Sequence, residues 1–351
     1  MNNQAQRYVV IGAGAVGTAL AVSLHDAGHE VVLVARGTAY ETIAAGGVRF
    51  ARPAEQRTVR LPVASGPDDV APRGGDVLVL ATKAQHVVPT LEQWFWRPLA
   101  SGGGTVADLP VVTPQNGLVS EQLASRYLRT VIGATTLVAA RHLVPGEVQV
   151  TNAPRLGQLL LGPWPAAQAG DAAYRLTHEL AADLDAAGWL TQAVDDIERW
   201  KSWKLLHNVT NAIEVLAGNA DDLAALGAHL VAEARTVLTG AGYTFADPST
   251  ERRFDPELAA VDPGNGHRPG RQSTWQSFVR GTSSEVDYLN GEIVLQARRA
   301  GLAAPFNAAV QRVLARSAAA GEPPGTRTVD EVAALAAQLA SPAPTHEGAS
   351  T

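Results

Sequence analysis

The chain has 351 residues and a formal net charge of −6, from 28 Lys+Arg against 34 Asp+Glu. That length suggests about two domains, and the acidic balance offers no basic face for nucleic acid. Hydrophobic residues at 46% against 18% charged support a packed core, and the lack of cysteine excludes disulfides, thiolate metal sites and a cysteine nucleophile.

Residues 8–11 form a short apolar run, as expected of a strand buried on both faces. A glycine turn follows, then a helical stretch to about residue 27. Further strands are expected at 31–34, 76–81, 111–112 and 131–134. Strands recurring with helical spacers imply βαβ units, right-handed crossovers and a doubly wound, mostly parallel sheet. Near residue 190 the pattern becomes helical. Asp195 and Glu198 fit a capping box opening a helix over 197–216, and more helices are expected at 220–238, 284–300, 305–318 and 332–340. Residues 247–272 are rich in Pro, Gly and Arg and read as a long loop, and the tail after 341 reads as disordered. The expected fold is α/β: an N-terminal Rossmann sheet (1–192), an all-helical C-terminal domain (193–325), then a terminal helix and tail (326–351).

No apolar run approaches the ~20 residues that span a membrane, and residues 1–7 lack the apolar region of a secretory signal. A cytoplasmic protein without membrane or nucleic-acid partners is expected. Nine histidines form no HxxxH or HxxEH pair on a helix, so no metal is expected. His207 is read as helix packing. Trp94, Phe95 and Trp96 read as a packed aromatic anchor, with a homodimer contact as the alternative.

Gly12-Ala13-Gly14-Ala15-Val16-Gly17 is a GxGxxG turn placed directly after a strand and opening a helix. The first glycine permits the tight turn, the second lets a pyrophosphate approach the backbone, and the third lets helix and strand pack closely. The helix N-terminus then offers N–H groups and a positive dipole end to the phosphates. After the second strand, an Asp or Glu would bind ribose hydroxyls. This chain has Arg36, whose guanidinium suits a 2′-phosphate, so the expected cofactor is NADPH/NADP+.

Residues 200–211 read WKSWKLLHNVTN. On an α-helix Asn208 lies about 40° around the axis from Lys204, and Asn211 about 20° the other way. An ammonium flanked by two amides can donate to a carbonyl oxygen and protonate a developing alkoxide, as reduction of a keto acid requires. Lys201, about 60° away, competes for that role.

Four segments together resemble the ketopantoate reductase (2-dehydropantoate 2-reductase) family: IGAGAVG, the LATKAQ and PQNG pair, WKLLHN, and SSEVDYLNG. The resemblance covers roughly residues 7–316. It implies a Rossmann domain and a helical domain with the active site in the cleft between them. It selects Lys204 over Lys201 as proton donor and makes Asn208 a substrate ligand, with Asn211 as the second amide. Asn116 would contact cofactor and substrate, Lys83 and Glu285 the cofactor, and Ser273 the substrate. The bland reading of Glu285 is a capping box with Thr282. Two positions depart from the family: Ala212 stands where it often has asparagine, and Ser277 where it often has an acid. The resemblance implies NADPH-dependent reduction of a small 2-keto acid, with ketopantoate leading. The alternatives are a same-fold reductase of another keto acid or an imine, and a non-catalytic NADP-binding regulator.

Overall fold

The computed structural model describes residues 6–262 and 272–340. The chain forms two compact units, Met1–Leu205 with Thr244–Pro269, and Leu206–Tyr243 with Gly270–Thr351. The division falls inside a helix, later than the composition change near 190 suggests.

In chain order the first unit carries β1 (Arg7–Ile11), β2 (Glu30–Val34), β3 (Val48–Arg52), β4 (Glu55–Val59), β5 (Val63–Ala64), β6 (Asp76–Leu80) and β7 (Val111–Thr113). These are followed by β8 (Val131–Leu137), β9 (Ala140–Arg141), β10 (Glu147–Val150), β11 (Asn152–Pro154), β12 (Gln158–Trp164), β13 (Leu190–Ala193) and β14 (Ala259–Val261). The main sheet has the order β13-β12-β8-β7-β6-β1-β2-β5. Strands β5 to β8 in that order are parallel, whereas β12 runs antiparallel to β8 and parallel to β13.

Alternation along β1 explains the layers. Tyr8 and Val10 face Leu20, Leu24, Leu180 and Leu184, from helices Ala15–Asp26 and Asp171–Ala186. Val9 and Ile11 face Val87, Leu91, Trp94 and Phe95 on the other side. A strand buried on both faces must be apolar throughout, which is why β1 and β6 show no polar alternation. The aromatic anchor is therefore real for Trp94 and Phe95, while Trp96 is 65% exposed beside Tyr127. At the strand ends away from the glycine turn, Arg7 donates to Asp76 at 2.7 and 2.8 Å, a buried bidentate pair joining the starts of β1 and β6.

Several elements differ from the sequence expectation. A small sheet, β4-β3-β10-β9, and strands β12 and β13 went unpredicted. β12 reads QLLLGPW, and its Gly and Pro weaken the strand signal. Residues 247–262 are not an open loop. Asp247 and Asp255 cap short turns at Pro248–Glu251 and Pro256–Leu258, each with proline in the first turn, and β14 then pairs with β11. Arg199 clamps Glu251 at 2.7 and 2.8 Å. Residues 263–271 of that expected loop lie outside the described residues, as does the tail from 341.

The second unit is helical: Ala220–Gly240, Ser273–Val279, Val286–Ala300, Pro305–Ala319 and Val329–Ala340. The last of these packs on Pro305–Ala319 and Ala220–Gly240. The helix expected over 197–216 is two elements, an α-helix Ile197–Asn208 and a 3-10 helix Val209–Val215. Asn290 Nδ2 takes the Val209 carbonyl at 3.0 Å and Asn307 Oδ1 at 3.0 Å, which anchors the 3-10 segment in the core.

Candidate active site

Register places Ile11 opposite Val34 of β2 and Leu80 of β6, so the segments after β1, β2 and β6 leave the sheet together. The strand order reverses at β1, which is where open α/β sheets bind ligands. Gly12 adopts φ +121, and a Cβ there would sit 2.7 Å from the Ala81 carbonyl oxygen. A Cβ at Gly17 would fall 2.0 Å from the Gly12 carbonyl oxygen. A Cβ at Gly14 meets nothing within 4 Å. Two glycines thus close the turn, and the third leaves an opening at the helix start. The Ala13, Ala15 and Val16 positions complete the turn and the first residues of helix Ala15–Asp26. That helix has no side-chain cap and no acidic residue in its first turn, so its N-terminus is suited to an anion.

Arg36 follows β2, exposed, at the N-cap of helix Gly37–Gly46. Lys83 follows β6 and accepts at its carbonyl from His86 N at 2.9 Å. His86 is held below the usual histidine range, first by partial burial and then by the charges of Arg36 and Lys83. Both expected cofactor-binding cations therefore act on one imidazole, and sequence reasoning missed that histidine.

Helix Ile197–Asn208 lies on the sheet because two glycines make room. A Cβ at Gly133 of β8 would be 2.9 Å from Ile197, and one at Gly162 of β12 would be 3.0 Å from it. Seated there, the helix aims its lysines at the turn after β7. Lys204 Nζ donates to Asn116 Oδ1 at 2.7 Å and to the Thr136 carbonyl. Lys201 Nζ pairs with Glu121 at 2.5 Å and donates to the Gln115 carbonyl at 2.8 Å. The two lysines thus differ in their partners: Lys201 is engaged in a buried ion pair, whereas Lys204 meets Asn116. Asp196, rather than Asp195, accepts from Glu198 N at the helix start, at 3.0 Å. His207 is exposed rather than packed.

Asn208 ends this helix one turn after Lys204. It is 7% exposed, and its Oδ1 has no hydrogen-bond partner among the described residues. A buried amide oxygen left so costs free energy unless a ligand meets it. Asn211 lies in the 3-10 segment, buried. With about 120° per residue there, Asn211 eclipses Asn208, instead of flanking Lys204 on the opposite side. Ser273 begins helix Ser273–Val279, which packs on the 3-10 segment. Its position is set by Glu214, which accepts from the preceding Gln272 N at 2.7 Å. Burial pushes the Glu214 carboxyl up. Glu285 is buried and is itself the N-cap residue of Val286–Ala300. The alternative reading, a capping box opened by Thr282, is not what forms: the N-cap is Glu285, and Thr282 Oγ1 donates back to the Ser277 carbonyl at 3.3 Å.

The sequence matches the family description "Ketopantoate reductase PanE/ApbA" over residues 8–166 and its C-terminal counterpart over 196–318. The chain belongs to the ketopantoate reductase family. It is an oxidoreductase acting on CH–OH, in a family that uses NADPH. A 2-dehydropantoate 2-reductase of Archaeoglobus fulgidus is 27% identical over 314 residues, covering 86% of this chain and 94% of that protein. A solved PanE/ApbA family ketopantoate reductase from Ralstonia eutropha JMP134 superposes with TM-score 0.69 at 24% identity, covering 90% and 99% of the two chains. D-mandelate dehydrogenase, solved with NADH and anilino(oxo)acetate, shares the fold at TM-score 0.69 and 20% identity, also covering 90% and 99%.

Among the described residues of this ketopantoate reductase homologue, no His/Cys/Asp/Glu group is arranged to hold a metal, and no helix is long and apolar enough to cross a membrane. The opening at Gly14, the uncapped helix start and the Arg36–Lys83 charges fit a phosphorylated dinucleotide. Position 212, where the family often has asparagine, is a buried alanine.

Proposed function

We propose that the protein reduces 2-dehydropantoate (ketopantoate) to pantoate with NADPH. The observation that carries this reading is the Lys204 ammonium held 2.7 Å from Asn116 Oδ1, beside a sheet whose glycine turn suits a dinucleotide. NADPH, when bound, supplies the hydride to the ketone carbon. Lys204 donates a hydrogen bond to the ketone oxygen and delivers the proton as the alkoxide develops. Asn116 and the Thr136 carbonyl hold the ammonium in place, so little reorganisation is needed at the moment of reaction. Asn208 and Asn211, eclipsed on one line, and Ser273 orient the substrate. The buried, unmatched Asn208 Oδ1 awaits a donor such as a hydroxyl. Arg36 and Lys83 take the 2′-phosphate end of NADPH, the turn from Gly12 to Gly17 its pyrophosphate, and Glu285 completes the cofactor contacts. On this reading the protein works in the cytoplasm and supplies pantoate for pantothenate biosynthesis.

A second reading, reduction of a different and bulkier 2-keto acid, is favoured by Ala212. That position contributes a methyl group instead of an amide, which leaves room and removes a polar contact. Purified protein mixed with NADPH and a panel of ketopantoate, pyruvate, 2-ketoisovalerate and phenylglyoxylate separates the readings by kcat/KM. Highest kcat/KM on ketopantoate supports the first. Preference for phenylglyoxylate supports the second. Tight NADPH binding without oxidation by any keto acid removes both and leaves a regulatory protein.

A further inference from the structure

We propose that the buried Lys201–Glu121 ion pair is a positioning device for the reaction: it fixes the turn bearing Asn116 against the helix bearing Lys204. This rests on the reading of Lys204 as proton donor.

The two lysines are three residues apart, so they project from adjoining parts of one helix face. They reach adjacent residues of one turn. Lys201 takes the Gln115 carbonyl at 2.8 Å, and Lys204 takes the Asn116 side chain at 2.7 Å. Glu121 closes the other side of the turn. Its Oε1 meets Lys201 at 2.5 Å and accepts from Thr113 Oγ1 at 2.7 Å. Thr113 also reaches the Ile132 carbonyl of β8 at 3.3 Å, and the Gln115 amide donates to the Leu80 carbonyl of β6. Residues 113–116 are thus tied to two neighbouring strands and to the helix. Lys201 and Glu121 form the charged link.

Burial makes a purely stabilising role an insufficient explanation. Lys201 is 4% exposed and Glu121 is 1% exposed. An ion pair so placed loses most of its hydration, and an apolar pair of similar volume would pack as well or better. What an apolar pair cannot do is hold a carbonyl in one direction. The Gln115 carbonyl is the group held, and its direction sets where the next side chain, Asn116, points. Lys201 and Glu121 therefore act through Asn116 and Lys204, without touching substrate.

The test compares the double variant Lys201→Met/Glu121→Leu with Glu121→Ala, Glu121→Gln and wild type. The assay uses NADPH and whichever keto acid wild type turns over best. Melting temperature, NADPH Kd and hydrogen exchange of the 113–121 segment are measured alongside. The double variant is expected to melt close to wild type and to bind NADPH within about 3-fold, because it leaves no charge stranded. Its kcat should fall by about 10–100-fold, with faster exchange at 113–117, as loss of alignment at a reacting centre predicts. Glu121→Gln keeps an acceptor for Lys201 and Thr113, so it should retain more turnover than Glu121→Ala. A stably folded double variant with kcat within 2-fold of wild type overturns the proposal. Equal losses in Glu121→Gln and Glu121→Ala overturn it also, even if the double variant does not fold. Should wild type oxidise NADPH with no keto acid, the reductase reading falls, while unchanged or faster exchange at 113–117 still decides what the pair does to the turn.

Discussion

Lys204 and Asn116 stand 88 positions apart in sequence, yet the lysine Nζ and the asparagine Oδ1 lie 2.7 Å from each other within one unit. The contact joins a helix to the turn after a central strand. On the proposed reading it pairs the proton donor with the group that aims it. Lys204→Ala should lower kcat by about 10²–10⁴-fold, the range for loss of a positioned acid, with NADPH affinity retained. Asn116→Ala should cost about 10²-fold, as a misplaced catalytic group does. Steady-state kinetics with fluorescence titration of NADPH checks both, and near-normal turnover in Lys204→Ala would refute the assignment.

The Arg36 guanidinium bears on cofactor choice and on a neighbouring titration. Arg36→Ala should weaken NADPH binding by about 10–100-fold, the loss of a charge-assisted contact, with NADH affected little. The same change should raise the His86 pKa toward the usual 6.5, because partial burial and the charges of Arg36 and Lys83 all hold it down and one charge is removed. An NMR titration of the imidazole gives the direction. A His86 pKa that stays put or falls would contradict the electrostatic assignment.

Two glycines of the same turn should respond differently to alanine. At Gly17 the new methyl collides with the Gly12 carbonyl 2.0 Å away, and neither backbone can yield easily. Gly17→Ala should destabilise the protein by about 1–3 kcal/mol, the usual cost of overpacking. At Gly14 there is open space, so Gly14→Ala should leave the melting temperature nearly unchanged while weakening NADPH binding. Thermal melts with and without NADPH separate the two effects.

Glu292 predicts the pH dependence of stability. It is buried and accepts from Gln296 at 2.7 Å, and burial raises its pKa above the usual 4.5. The folded state therefore holds a proton that the unfolded chain has released. Its contribution to stability falls as pH rises from 4.5 through the folded-state pKa. Glu292→Gln keeps an acceptor for Gln296 without the charge, so it should raise the melting temperature at pH 8 more than at pH 5. An equal shift at both values would mean the carboxyl is not the cause.

The capping signals show where local reading succeeds and fails. Pro248 and Pro256, each after an aspartate, mark turns that a local rule could have found inside the stretch read as a loop. Thr282 and Glu285 satisfy the same kind of rule by spacing, yet Thr282 turns back to Ser277. The helix break at Val209 has no local breaker either, since the Val209 carbonyl is taken by Asn290, 81 residues on. Local rules list what a segment can form. Competing partners from elsewhere choose among the options.

The order of residues alone determined the parallel strands, the glycine turn after the first of them and the helix that carries Lys204. Each is written in nearest-neighbour terms: an unbroken apolar run, a missing Cβ, a repeat of 3.6. Only the tertiary structure decided which lysine is spent on Glu121 and which meets Asn116, that β12 runs against its neighbour, and that one imidazole feels both Arg36 and Lys83. Those outcomes depend on which distant backbone segments close upon each other, and the energy of a contact exists only once both of its partners are in place.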